Sequence, residues 1–138
     1  MVHQDRFQLE TSGHGDMSDI TERVAGVIAS SSIQTGTAHI FNVGSTGVIV
    51  AIEFEPGLAE DLPQLLNRLA PPSRDYGHEL AWHDGNAHSH LQATWLGPGI
   101  TIPVAEGRPV LGTWQQIVHL ECDIRPRNRY VVVTVQGE

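Results

Sequence analysis

The chain has 138 residues, 40% hydrophobic and 17% charged, which suits one domain over residues 1–138 and neither a disordered tail nor a coiled coil. Its formal net charge of −8 lacks the positive field on which unspecific binding to nucleic acid or an anionic membrane depends. All 8 basic residues are arginine, which excludes Schiff-base lysine chemistry and a phosphate-binding P-loop.

In chain order, "QDRFQLET" (4–11) spaces Phe7 and Leu9 as a first strand. "SDITERVAGVIAS" (18–30) reads as a helix with Ser18 as N-cap and Ile20, Val24, Val27 and Ile28 on one stripe. The β-rich runs 37–43 and 47–54 flank Gly44-Ser45-Thr46-Gly47 and read as two strands joined by a tight connection. Leu58, Leu62, Leu65, Leu66 and Leu69 recur at helical spacing, and Pro71-Pro72 stops that helix. A third helix is expected over 86–96, with Asp84 as N-cap and Gly97-Pro98 as stop. Strands are expected at 99–104, 110–122 and 129–136, with "DIRPRN" as a turn. In the strand 110–122, Ile117 and His119 share one face, and Val118 and Leu120 the other. The sum is a single compact α+β domain, an antiparallel β-sheet with about three helices.

Cys122 is the only cysteine, so neither an internal disulfide nor a cysteine-rich zinc site is available. The N-terminus has no apolar leader, and the runs "VIVAI" and "YVVV" are too short to span a bilayer. These features lead us to expect a cytoplasmic protein that binds no nucleic acid and no membrane.

The chemistry-bearing residues concentrate between positions 76 and 90. His78, His83, His88 and His90 are half of the 8 histidines, and neutral imidazoles suit Zn or Fe better than Mg. On a helix, His88 and His90 stand about 200° apart, so only one of them can enter a given site. If the helix buries Ala87, Leu91, Thr94 and Trp95, His90 lies beside that seam and His88 near Gln92 on a more exposed flank, while His78 and His83 come from the preceding loop. Outside a site they would be solvent-facing or hydrogen-bonding histidines. Glu53 and Glu55 alternate with Ile52 and Phe54, so both carboxylates leave one strand face, as an acid–base group or as a solvated edge. Ser45 and Thr46 lie in a Gly-bounded turn whose N–H groups can cradle an oxyanion. Arg125, Arg127 and Arg129 point one way if they are on a strand, to grip a diphosphate or to pair with surface acids. Trp114 and Gln115 offer an aromatic wall and an amide. With Asn86 of the Asp-Gly-Asn turn, they join Ser45, Thr46, Arg125 and Arg127 as the expected substrate- or anion-binding set.

The blocks "SHLQATWLGPGITIPVAEGRPVLGTWQQIV" and "RPRNRYVVVTVQGE" resemble the YjbQ family, also called the secondary thiamine-phosphate synthase family. The resemblance runs from about residue 7 to the terminal Gln-Gly-Glu. It implies an α+β fold assembled as a homotrimer, with the site in a cleft at or near the subunit interface. Trp82, Trp95 and Trp114 are plausible interface anchors. Tyr76-Gly77-His78 matches the family's Tyr-x-His, and Ser89-His90 its Ser-His. Glu53 and Asp61 match its acidic positions and become the expected catalytic pair. Where many members carry His-Thr-Ser, this chain has Gly44-Ser45-Thr46, so a three-histidine site lacks one ligand unless His83 or His88 replaces it.

The expected function is that of an uncharacterised YjbQ-family protein, for which the resemblance implies at most weak thiamine-phosphate synthase activity, joining a pyrimidine methyl diphosphate to a thiazole phosphate. The leaving diphosphate would be neutralised by Mg²⁺ on Glu53 and Asp61 and by Arg125 and Arg127. The alternatives are a Zn-, Fe- or Mg-dependent hydrolase of a small phosphorylated metabolite with Glu53 as base, or a non-catalytic trimer that binds a metal or a small anion.

Overall fold

A computed structural model describes residues 1–138. The elements in order are β1 (Val2–Glu10), β2 (Met17–Asp19), α1 (Thr21–Ser31), β3 (Gly36–Val43), β4 (Gly47–Glu53) and α2 (Pro56–Leu69). They continue with α3 (Gly77–Trp82), α4 (Ala87–Leu96), β5 (Gly99–Ala105), β6 (Arg108–Pro109), β7 (Gln115–Glu121) and β8 (Asn128–Gly137). No helix is long and apolar enough to cross a membrane.

Alternation in β8 shapes the larger sheet. Arg129, Val131, Val133 and Val135 are buried, while the residues between them face outward. β8 pairs antiparallel with β1 on one side and β3 on the other, giving the order β1-β8-β3-β5-β6. The second sheet, β2-β7-β4, is also antiparallel. Its central strand is buried from Ile117 to Glu121, because both faces are covered. Ile117 and Ile49 join the main core, with α1 and the inner face of the larger sheet. Val48, Leu120 and Cys122 pack on the opposite side against Leu66 of α2 and Ala93 of α4. The α+β class and antiparallel pairing expected from the sequence therefore hold.

Several boundaries and contacts differ for local reasons. The strands β3 and β4 follow each other closely but do not pair: one belongs to each sheet, so residues 44–46 form a bridge between sheets instead of a hairpin tip. Helix α1 starts at Thr21, since Met17–Asp19 is captured by β7 and Asp19 accepts from the Thr21 N–H at 3.0 Å. Glu55 leaves the strand face expected for it and caps α2, accepting from the N–H groups of Gly57 and Leu58. A fourth, short helix, α3, fills the stretch expected as loop, and Asn86 instead of Asp84 stands at the start of α4.

The buried side of α4 is Ala87, His88, Ser89, Gln92 and Ala93, whereas Leu91 and Trp95 are exposed. An apolar seam through Leu91 and Trp95 was the sequence expectation. The small side chains at 87, 89 and 93 let the helix lie close to β4, and this close approach selects the opposite face. Ala93→Leu should overpack this contact and cost about 1–3 kcal/mol in a urea denaturation series. Unchanged stability would place Ala93 on an open face and contradict the packing.

Candidate functional site

Asn42 ends the inner-face alternation Ala38, Ile40, Asn42 of β3. Its side-chain amide donates to the carbonyls of Gly44 and Gly47 at 3.1 and 3.2 Å, holding both ends of the loop between the sheets. Both glycines are required there. Gly44 has φ +150, and a Cβ on it would stand 2.7 Å from Nη1 of Arg129; one on Gly47 would stand 2.9 Å from the Asn42 amide. The N–H groups of Gly44, Ser45 and Thr46 make no hydrogen bond to the rest of the chain.

A buried ionic layer backs this loop. Arg129 forms a two-point pair with Glu121, and it donates to Thr46 Oγ1 at 2.7 Å. Thr46 in turn donates to Asp123 at 3.0 Å. Asp123 also accepts from Arg127 Nε at 2.9 Å, and Thr11 donates to Glu121 at 2.8 Å. Burial pushes the Asp123 carboxyl up, but the hydrogen bonds from Arg127 and Thr46 outweigh it and hold its pKa below the usual value. The buried thiol of Cys122 is pushed up to about 12, by burial first and Glu121 second, which makes it inert as a nucleophile.

Helices α3 and α4 supply the opposite wall. His78 and His90 meet with ring centroids 4.5 Å apart at 58°. His78 Nε2 lies 3.2 Å from Oδ1 of Asn86 and 3.6 Å from Oδ1 of Asp84. That Asp84 oxygen is buried and has no hydrogen-bond partner. The His90 pKa is lowered, chiefly by burial and then by His78, so this ring is neutral near pH 7 and can accept a proton. The resulting cleft, of about 330 Å³, is lined by Gly44, Ser45, Thr46, His78, Trp82, Asp84, Asn86, His90, Asp123, Arg127 and Arg129.

Six residues expected at a site therefore converge: Ser45, Thr46, His78, Asn86, His90 and Arg127. His88 points away from them and packs against His14 with centroids 6.0 Å apart; it is 3% exposed, not on the open flank expected for it. Its pKa is lowered, first by burial and then by His14. His83 ends α3 at φ 56 and is exposed. Glu53 ends β4, six residues on from Gly47 and hence about 20 Å from the loop. It shares a second cleft with Trp114 and Gln115. Asp61 lies exposed on α2, and Arg125 is exposed beyond the cleft. No three His, Cys, Asp or Glu side chains come together as a metal-ligand group.

Asp84, Asp123 and the buried role of Arg129 were missed. Arg129 was legible: it shares its strand parity with Val131, Val133 and Val135, whereas Arg125 and Arg127 precede the strand. Nothing in the spacing marks Asp123, whose position follows from the two-sheet arrangement.

The family model for UPF0047 protein YjbQ-like matches residues 5–138. The chain belongs to the YjbQ family. A UPF0047 protein of Methanothermobacter thermautotrophicus is 40% identical over 137 residues, covering 99% of this chain and 94% of that protein. A YbjQ-like protein of unknown function from Sulfolobus solfataricus P2 superimposes with TM-score 0.93 at 39% identity, covering 100% of this chain and 99% of the other. A hypothetical protein from Aeropyrum pernix K1 gives TM-score 0.88 at 32% identity, with 98% of each chain covered. Membership of the YjbQ family thus establishes the fold and carries no specific activity.

His119 lies behind the loop and is fully buried, and its pKa is lowered to about 4, chiefly by burial. The unfolded chain therefore takes up this proton first as pH falls, near the ordinary value of about 6.5. Stability contributed by the neutral ring should be complete above about pH 6.5 and be lost progressively towards pH 4. Imidazole ¹⁵N spectra should show His119 uncharged at about pH 5. A midpoint near 6.5 would contradict its burial.

Proposed function

We propose that the cleft binds the phosphate of a small phosphorylated metabolite and that His78 and His90 move a proton on it. One observation carries this reading: three backbone N–H groups without partners, at 44–46, border the same cleft as Arg127 and an imidazole pair. In a chain without lysine, these are the donors available to an oxyanion. Arg127 is held by Asp123 through Nε and Nη2, leaving Nη1 for a ligand. Neutral His90 accepts a proton, and His78 Nε2 presents one toward Asn86.

In the coupling of a pyrimidine methyl diphosphate to a thiazole phosphate, the departing diphosphate would rest on the loop N–H groups and Arg127. Glu53 and Asp61 lie outside this cleft, so any part they play requires a second subunit. A homotrimer is the assembly we propose, with Trp82, Trp95 and Trp114, respectively 72%, 63% and 73% exposed, as anchors. Light scattering at micromolar concentration should give three times the chain mass; a monomer would remove both the anchors and any shared site.

One observation favours a second reading, a metal-binding trimer: the unpartnered Asp84 Oδ1 faces His78 Nε2 at 3.6 Å, and further ligands would come from another subunit. Elemental analysis of untagged protein separates the readings, because stoichiometric zinc or iron supports the second. For the first, calorimetric titration with pyrophosphate should show Arg127→Gln weakening binding about tenfold, a loss of roughly 1.4 kcal/mol. His88→Ala should leave the affinity nearly unchanged. His78→Ala and His90→Ala should each lower pyrophosphate release from the two thiamine precursors. Equal effects at His88 and His90 would mean that the cleft does not discriminate the two faces of α4.

A further inference from the structure

Behind the anion loop, one buried hydrogen-bond chain crosses from the second sheet to the first. His119 lies on the inner face of β7 and Asn42 on the inner face of β3, and both are fully buried. His119 Nε2 stands 2.9 Å from Asn42 Oδ1. The other end of that amide donates to the carbonyls of Gly44 and Gly47. An amide that donates twice from nitrogen must accept at oxygen. His119 therefore carries its hydrogen on Nε2, and its Nδ1 is the buried atom left without a partner. The flipped amide would set its oxygen against two carbonyl oxygens, so the carbonyls of Gly44 and Gly47 fix which way Asn42 faces, and the imidazole N–H gives the buried amide oxygen its partner. Gly47 completes the arrangement, since only a residue without Cβ lets the amide lie so near.

We infer that His119 and Asn42 are positioning residues for the anion site: the imidazole N–H anchors the amide by its oxygen, and the amide holds the Gly44–Thr46 loop in the conformation that leaves its N–H groups free. This rests on the anion-binding reading above and extends it to two residues that touch no ligand. Without the clamp, the loop is free to turn its N–H groups toward other acceptors. The cradle would then have to be ordered by the anion itself, and binding would weaken.

The test compares His119→Gln with His119→Leu. A glutamine amide N–H reaches the place of Nε2–H, whereas leucine keeps the volume and removes the donor. Pyrophosphate affinity, read by calorimetry on the full chain, should stay within about threefold of wild type for His119→Gln. It should fall about tenfold for His119→Leu and for Gly47→Ala, which displaces the amide sterically. The amide resonances of Ser45 and Thr46 should move in the same two variants and return in His119→Gln, while the methyls of Val131 and Val133 stay in place. A general loss of packing would move both sets and would not be rescued. Should His119→Leu not fold, Asn42→Ser removes the amide from the other end.

Unchanged loop resonances and unchanged affinity in the leucine and serine variants would overturn the inference. Loop resonances that move while wild type binds no pyrophosphate would sustain the clamp and overturn the anion reading, so the two failures are distinct.

Discussion

The ion pair between Arg129 and Glu121 joins the inner faces of the two sheets, with side chains only 7% and 0% exposed. Taking both charges out of water costs several kcal/mol per ion, and the pair survives because its remaining donors and acceptors are occupied. Thr11 and the Asp123 N–H satisfy Glu121, and Thr46 receives Arg129. Loss of one partner would strand the other, a situation that costs about 3–5 kcal/mol. The pair also decides where the apolar core ends. Beyond Val131, the inner face of β8 turns ionic, and the loop from β3 to β4 closes over that end.

From this constraint the cleft follows. Thr46 is anchored by Arg129 on one side and by Asp123 on the other, and Asp123 then restrains Arg127. The rigid wall of the site is thus a by-product of neutralising two buried charges. The opposite wall is built differently. None of α3 is buried, and the helix is tied mostly within its own segment, by the pairing of Arg74 with Glu79 and by Glu79 accepting from Gly85 N–H at 2.9 Å. His78 therefore comes from a lightly packed element and meets His90 from a helix packed on β4. On the proposed reading, a fixed loop wall facing a lightly held histidine wall suits a site that must admit a ligand before closing on it.

Much of this was readable from the chain. The stripe Ile20, Val24, Val27 and Ile28 packs in the core as its spacing predicts, and 37–43, 99–104 and 129–136 are strands. Period and capping are local, and local rules work where neighbours in sequence are neighbours in space. They failed where burial depends on the partner sheet. A connection bounded by Gly44 and Gly47 reads as a hairpin until the strands it joins are assigned to different sheets. The same limit hid the histidine contacts. Helical geometry separated His88 from His90, but which of the two faces the cleft depends on the small residues that draw α4 onto β4. The resemblance to the YjbQ family supplied the Ser-His and Tyr-x-His correspondences, and His78 and His90 do converge.

The central claim is that residues 44–46 form the anion cradle of this chain. Titration of the ¹⁵N-labelled protein with inorganic phosphate tests it most directly. The account predicts amide shifts at Gly44, Ser45 and Thr46 that saturate together with ring resonances of His78 and His90, while Glu53, Trp114 and Gln115 stay unmoved. Shifts centred on the cleft of Glu53 and Trp114, or none at the loop at saturating phosphate, would contradict it.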